Sequence, residues 1–142
     1  MLKNIPKNLS PDLIKVLMEM GHGDEIVIAD GNFPSARIAK KLIRADGLGG
    51  NEILESILKV FPLDSKYSDD QVFLMEVSDG DDYKPKIWDE YKNTLDKSDE
   101  DYSIAYIERF EFYERAKNAF AVIATGEEAL YANVIIKKGV VI

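Results

Sequence analysis

Short apolar runs rich in β-branched residues recur along the chain and alternate with segments of helical periodicity. This alternation restricts the fold more than any other feature, because strands that alternate with helices pair mainly in parallel and are covered on both faces. The run Ile26–Ala29, for example, is typical of a strand buried on both faces. The predicted strands are Ile26–Ala29, Val72–Val77, Ser103–Ile107, Phe120–Thr125 and Tyr131–Ile136. We therefore predict an α/β fold, a single three-layer domain with a mostly parallel central sheet.

Four helical segments are predicted, one before the first strand and three between later strands. Ser10, Pro11 and Asp12 form a helix start, because they supply an N-cap, a first-turn proline and an early acid, and Gly21 ends that helix. Asn51 is the predicted N-cap of the next helix. Two further helices are predicted at 85–95 and 110–116. No linker or repeat interrupts the pattern, so we predict one domain spanning residues 1–142.

Composition excludes several classes of function. The chain has 142 residues, 46% of them apolar, which is enough for one compact core. Its 18 Lys and Arg stand against 26 Asp and Glu, a formal net charge of −8 that disfavours nucleic acids and anionic membranes as partners. There is no cysteine, which excludes disulfides and thiolate chemistry. No signal peptide or membrane span is recognisable, and we expect a cytoplasmic protein.

The only histidine, His22, lies between two glycines, and Asp30 follows it at the carboxyl end of a predicted strand. Carboxyl ends of parallel strands open into ligand-binding crevices. If the glycine-flanked loop folds over that edge, imidazole and carboxylate share a pocket and can move protons near neutral pH. The alternative is structural: His22 packs against the preceding helix end and Asp30 caps a turn.

Four motifs in order resemble one known family. The stretches MGHGDEIVIADGNFPS, IRADG, RFEFYERA and YANVIIKKGV are similar to the fucose mutarotase and ribose pyranase family, and within it to the L-fucose branch. The resemblance covers residues 1 to 142. It implies an enzyme without a cofactor or metal that interconverts the α and β anomers of free L-fucose by acid–base ring opening and reclosure. It also implies a homo-oligomer, a ring-shaped decamer with active sites at subunit boundaries.

The resemblance also implies roles for particular residues. His22 is the main proton donor and acceptor, and Asp30 binds sugar hydroxyls and orients the imidazole. Arg109 contacts the sugar, with a helix-start ion pair as the alternative. Tyr131, as a proton-exchanging phenol, and Asn133, as a hydroxyl ligand, are two apart on a predicted strand and therefore point to one face. Tyr113 either lines the pocket or belongs to the core.

Two alternatives to the fucose activity stay open. One is a D-ribose pyranase, and the other is a catalytically silent sugar-binding subunit on the same scaffold. RFEFYERA favours the fucose branch, and the retained His22 favours catalysis. Asn32 occupies a position where related bacterial enzymes can have histidine. Asparagine cannot relay a proton at neutral pH, so a shuttle role for this position is in doubt.

Overall fold

A six-stranded sheet forms the middle layer of the computed structural model, which describes all of residues 1–142. Its strands are β1 (Glu25–Ala29), β2 (Leu42–Ala45), β3 (Val72–Met75), β4 (Ile104–Ile107), β5 (Ala121–Thr125) and β6 (Val134–Lys137). Their order across the sheet is β2-β5-β1-β6-β3-β4. Only β6 runs against its neighbours, β1 and β3; every other pairing is parallel. The predicted mostly parallel sheet is confirmed.

Five helices cover both faces of the sheet. They are α1 (Pro11–Glu19), α2 (Ser35–Ile38), α3 (Gly50–Leu58), α4 (Lys86–Lys97) and α5 (Arg109–Asn118). Alternation along β1 divides the core in two, since Ile26 and Ile28 belong to one apolar cluster and Val27 and Ala29 to the other. Apolar residues of α1, α3 and α4 fill the first cluster, and those of α2 and α5 fill the second. The predicted three-layer architecture is therefore confirmed.

Two short elements were not predicted, and one helix starts earlier than expected. The four residues of α2 and the four of β2 are too few to produce a clear periodicity, and β2 has only one buried residue. Helix α3 begins at Gly50 and not after Asn51, because the Glu52 carboxylate accepts the peptide N–H of Gly49 at 2.6 Å. The side chain of Asn51 instead accepts a hydrogen bond from the Thr94 hydroxyl.

The last predicted strand starts too early. Strand β6 begins at Val134, so Tyr131 and Asn133 lie in the loop before it. Tyr131 has φ +58°, in the left-handed region that only a few per cent of residues other than glycine adopt. The expectation that these two side chains share one face of a strand was wrong. A left-handed residue in an apolar sequence leaves no signal that periodicity can detect.

The sheet has two distinct ends. We call the end where the parallel strands begin the amino edge, and the end where they finish the carboxyl edge. Strand β6 is antiparallel, so it starts at the carboxyl edge and finishes at the amino edge.

No helix is long and apolar enough to cross a membrane.

Candidate functional site

His22 lies at the amino edge, in the loop between α1 and β1. Two hydrogen bonds from backbone N–H groups fix the loop. Gly23 donates its N–H to the Lys138 carbonyl at 2.8 Å, and Gly21 donates its N–H to the Asp24 carboxylate at 2.7 Å. Gly23 has φ +85°, which explains a glycine directly after the histidine. The His22 side chain stays 43% exposed and its Nε2 is 2.9 Å from Asp64 Oδ1. An accessible imidazole is thus held in one orientation.

Asp64 is the residue that holds the imidazole. Its side chain is only 3% exposed, and the Ser68 hydroxyl donates to its second oxygen at 2.6 Å. Burial alone would raise the pKa of the Asp64 carboxyl, but the hydrogen bonds from Ser68 and His22 and the charge on Lys137 together lower that pKa below 3.8. Because the ionised carboxylate is only a hydrogen-bond acceptor, it binds the Nε2–H of His22 and leaves Nδ1 for a substrate.

Asp30 lies at the other end of β1, on the carboxyl edge. Its Oδ1 accepts the Asn32 N–H at 3.0 Å, and its own N–H donates to the Asn133 side-chain oxygen at 2.8 Å. Both side chains are buried, with Asp30 7% and Asn133 5% exposed. Burial raises the pKa of the Asp30 carboxyl, and peptide N–H groups around it only partly offset this effect. Asp30 and Asn133 therefore form a buried polar pair at the carboxyl edge.

Helix α4 fixes the loop that carries Tyr131 and Asn133. The Trp88 indole donates to the Tyr131 carbonyl at 2.8 Å, and the Tyr91 hydroxyl donates to the Ala132 carbonyl at 2.6 Å. Burial, chiefly, raises the pKa of the Tyr91 hydroxyl, so that it stays a donor. These bonds to two successive carbonyls stabilise the left-handed backbone of Tyr131.

Arg109 and Tyr113 lie in the first two turns of α5, at the same edge. Arg109 forms no ion pair; its Nε donates a long hydrogen bond of 3.4 Å to the Tyr113 hydroxyl, and its guanidinium lies 5.5 Å from the ring centre. The predicted alternative, a helix-start ion pair, is therefore not formed. Tyr113 is half-buried, and its ring packs edge-on against Phe33 at 5.5 Å. Tyr113 therefore packs against the core and also lies at the carboxyl edge of the sheet.

Within one chain the predicted site residues separate into two groups. Asp30, Arg109, Tyr113, Tyr131 and Asn133 lie at the carboxyl edge, whereas His22 lies at the amino edge. The five-residue strand β1 between them spans about 16 Å. The loop of His22 does not fold over the edge of Asp30, and the imidazole is oriented by Asp64 instead. The expectation that His22 and Asp30 share a pocket was therefore wrong for a single chain.

Sequence reasoning missed Asp64 entirely. It is 42 residues from His22 and follows Pro62 in an irregular segment. The only nearby sequence feature that could have indicated its role is Ser68, four residues later, whose hydroxyl donates a hydrogen bond to the carboxylate. No group of three or more His, Asp or Glu side chains is arranged to hold a metal ion.

The chain is similar to known proteins over nearly its whole length. The chain is 50% identical over 146 residues to the fucose mutarotase of Danio rerio, covering 99% of this chain and 94% of that protein. The solved structure of the fucose mutarotase from Streptococcus pneumoniae in complex with L-fucose has a TM-score of 0.94 and 57% identity, covering 99% of this chain and 100% of that one. Bacillus subtilis RbsD complexed with D-ribose is more distant, with a TM-score of 0.73 and 25% identity over the whole of both chains.

A family model covers nearly the whole sequence as well. It is described as the RbsD / FucU transport protein family, and it matches residues 3–141. This match, the identities above and the shared fold confirm the resemblance drawn from the four sequence motifs. The chain belongs to the RbsD / FucU family.

Proposed function

We propose that this chain is a mutarotase that interconverts the α and β anomers of free L-fucose. The observation that carries the proposal is the half-exposed imidazole of His22 bonded to the buried, ionised carboxylate of Asp64. A buried carboxylate that fixes the tautomer of an accessible histidine is an arrangement for proton transfer, and simple sugar binding does not need it. The substrate is supported by the 57% identical structure that was solved with L-fucose.

The reaction needs two proton transfers and no group transfer. One group takes the proton from the anomeric hydroxyl while another protonates the ring oxygen, and the C1–O5 bond breaks to give the open aldehyde. Rotation about C1–C2 and reclosure in reverse order give the other anomer. We assign one transfer to His22 Nδ1 and the other to the Tyr131 hydroxyl. Asp30, Asn133 and Arg109 bind the sugar hydroxyls, and Tyr113 borders the pocket.

The two groups of residues lie at opposite edges of one chain, so this proposal requires a second copy. A head-to-tail contact brings the amino edge of one copy against the carboxyl edge of the next, and such contacts close into rings. We therefore propose that His22 and Asp64 of one copy complete the pocket of its neighbour. The decameric ring and a cytoplasmic location also belong to this proposal; the family resemblance supports the first and the cysteine-free sequence the second.

Saturation-transfer NMR of anomeric protons tests the substrate. We expect protein-dependent exchange between the two anomers of L-fucose, since the motif RFEFYERA resembles the L-fucose branch of the family. D-Ribose and D-galactose serve as comparison sugars at equal concentration. Faster exchange of D-ribose pyranose and furanose forms than of L-fucose anomers would identify a ribose pyranase instead. Binding of L-fucose without any exchange would identify a silent sugar-binding subunit.

A further inference from the structure

The hydroxyl of Tyr131 already has two partners, both in the segment between β3 and α4. It donates to Asp81 Oδ2 at 2.9 Å and accepts the Ser78 N–H at 3.3 Å. The Tyr83 ring stacks on the Tyr131 ring, with centres 6.0 Å apart and planes 27° apart. The segment therefore fixes both the ring and the direction of its hydroxyl proton.

The carboxylate of Asp81 is itself held in place. Its Oδ1 accepts the Tyr83 N–H at 2.9 Å, which leaves Oδ2 directed at Tyr131. A phenol has one proton and two lone pairs. With the proton on Asp81 and one lone pair on Ser78, Tyr131 has a single lone pair left for a ligand. It therefore meets a sugar hydroxyl as an acceptor.

We infer that Asp81 is a positioning residue that makes Tyr131 the group that takes the proton from the sugar. This inference rests on the proposed function. When Tyr131 accepts the proton of the anomeric hydroxyl, its own proton passes to Asp81 Oδ2, so the phenol stays neutral. The electron pair left on the anomeric oxygen forms the aldehyde carbonyl as the C1–O5 bond breaks. Ring oxygen O5 takes the proton on Nδ1 of His22, which enters this step as the imidazolium and leaves it as the neutral Nε2–H tautomer. Reclosure returns both protons.

Asparagine at position 81 reverses this arrangement. The Tyr83 N–H keeps the amide oxygen at the place of Oδ1, so the amide NH₂ replaces Oδ2 and donates to Tyr131. The phenol proton must then turn toward the sugar, and the relay has no acceptor. We expect Asp81→Asn to lower kcat for L-fucose exchange about 10²-fold with little change in KM. The matched control is Asp82→Asn, which makes the same charge change on a neighbour without contact to Tyr131.

Two measurements distinguish positioning from a general structural effect. In a Tyr131→Phe background, Asp81→Asn should cause no further loss, because Asp81 acts through the phenol. The ¹³Cζ signal of Tyr131, assigned by its absence in Tyr131→Phe, should move upfield in Asp81→Asn and stay in place in Asp82→Asn. Equal activity of the two Asn variants, or an undiminished loss in the Phe background, would overturn the inference. The NMR shift needs no turnover, so it tests Asp81 even if the chain proves not to be a mutarotase.

Discussion

Replacing His22 with glutamine is expected to reduce protein-dependent exchange of L-fucose anomers by about 10²–10⁴-fold. Glutamine can still bond to Asp64, but its amide cannot gain or lose a proton at neutral pH. The local fold should persist, because His22 is 43% exposed and the loop is fixed by backbone contacts of its neighbours. Saturation-transfer NMR measures the rate, and circular dichroism checks the fold.

Asn32→Ala is the control for this substitution. The side chain of Asn32 is exposed, and only its peptide N–H contacts Asp30, so alanine keeps that bond. We expect exchange near the wild-type rate, which would also settle the doubt about a proton shuttle at position 32. Near-wild-type exchange in His22→Gln would contradict the assignment of His22 as a proton-transfer group.

Replacing Asp64 with asparagine is expected to lower kcat by about 10²–10³-fold while KM for L-fucose changes little. The neutral amide can neither stabilise the imidazolium that donates to ring oxygen O5 nor favour the Nε2–H tautomer that remains after the donation. Asp69→Asn is the matched control, since Asp69 is exposed and contacts neither His22 nor Ser68. An unchanged kcat in Asp64→Asn would show that the carboxylate has no part in proton transfer.

Asp64→Asn should also change how the free energy of unfolding depends on pH. Because folding lowers the pKa of Asp64 below 3.8, its contribution to stability is complete above that pH and is lost as the pH falls through the folded-state value. Denaturant unfolding of the wild type should therefore show this loss in acid, and Asp64→Asn should lack it. Identical acid profiles for the two proteins would contradict the lowered pKa.

The sheet and most helices could be predicted because their signals are local. Val72–Met75 is a continuous apolar run, and only the last residue of Ala121–Thr125 is polar. Ser10 with Pro11 makes a helix start that the structure confirms. The candidate site could be predicted only in part. His22 and Asp30 are conspicuous in the sequence, but the partner of His22 is an aspartate in an irregular segment 42 residues away. Periodicity cannot detect contacts made between distant loops.

The relation between His22 and Asp30 was the hardest to predict, for a geometric reason. Both flank the same strand, and closeness along the sequence suggested one pocket. An extended strand separates its two ends by more than any other element of equal length, so the two side chains lie at opposite edges. In the proposed assembly, contact between neighbouring copies brings the two side chains together.

Complementation between two inactive variants tests that contact most directly. His22→Gln and Asp30→Asn are each expected to be nearly inactive alone. Co-expressed in equal amounts, they should form mixed rings in which about one site in four pairs an intact His22 with an intact Asp30 of the next copy. Exchange of L-fucose anomers should then recover to about a quarter of the wild-type rate per site. A repeat with Arg109→Ala in place of Asp30→Asn guards against misfolding, and no recovery from either mixed assembly would contradict a pocket shared between copies.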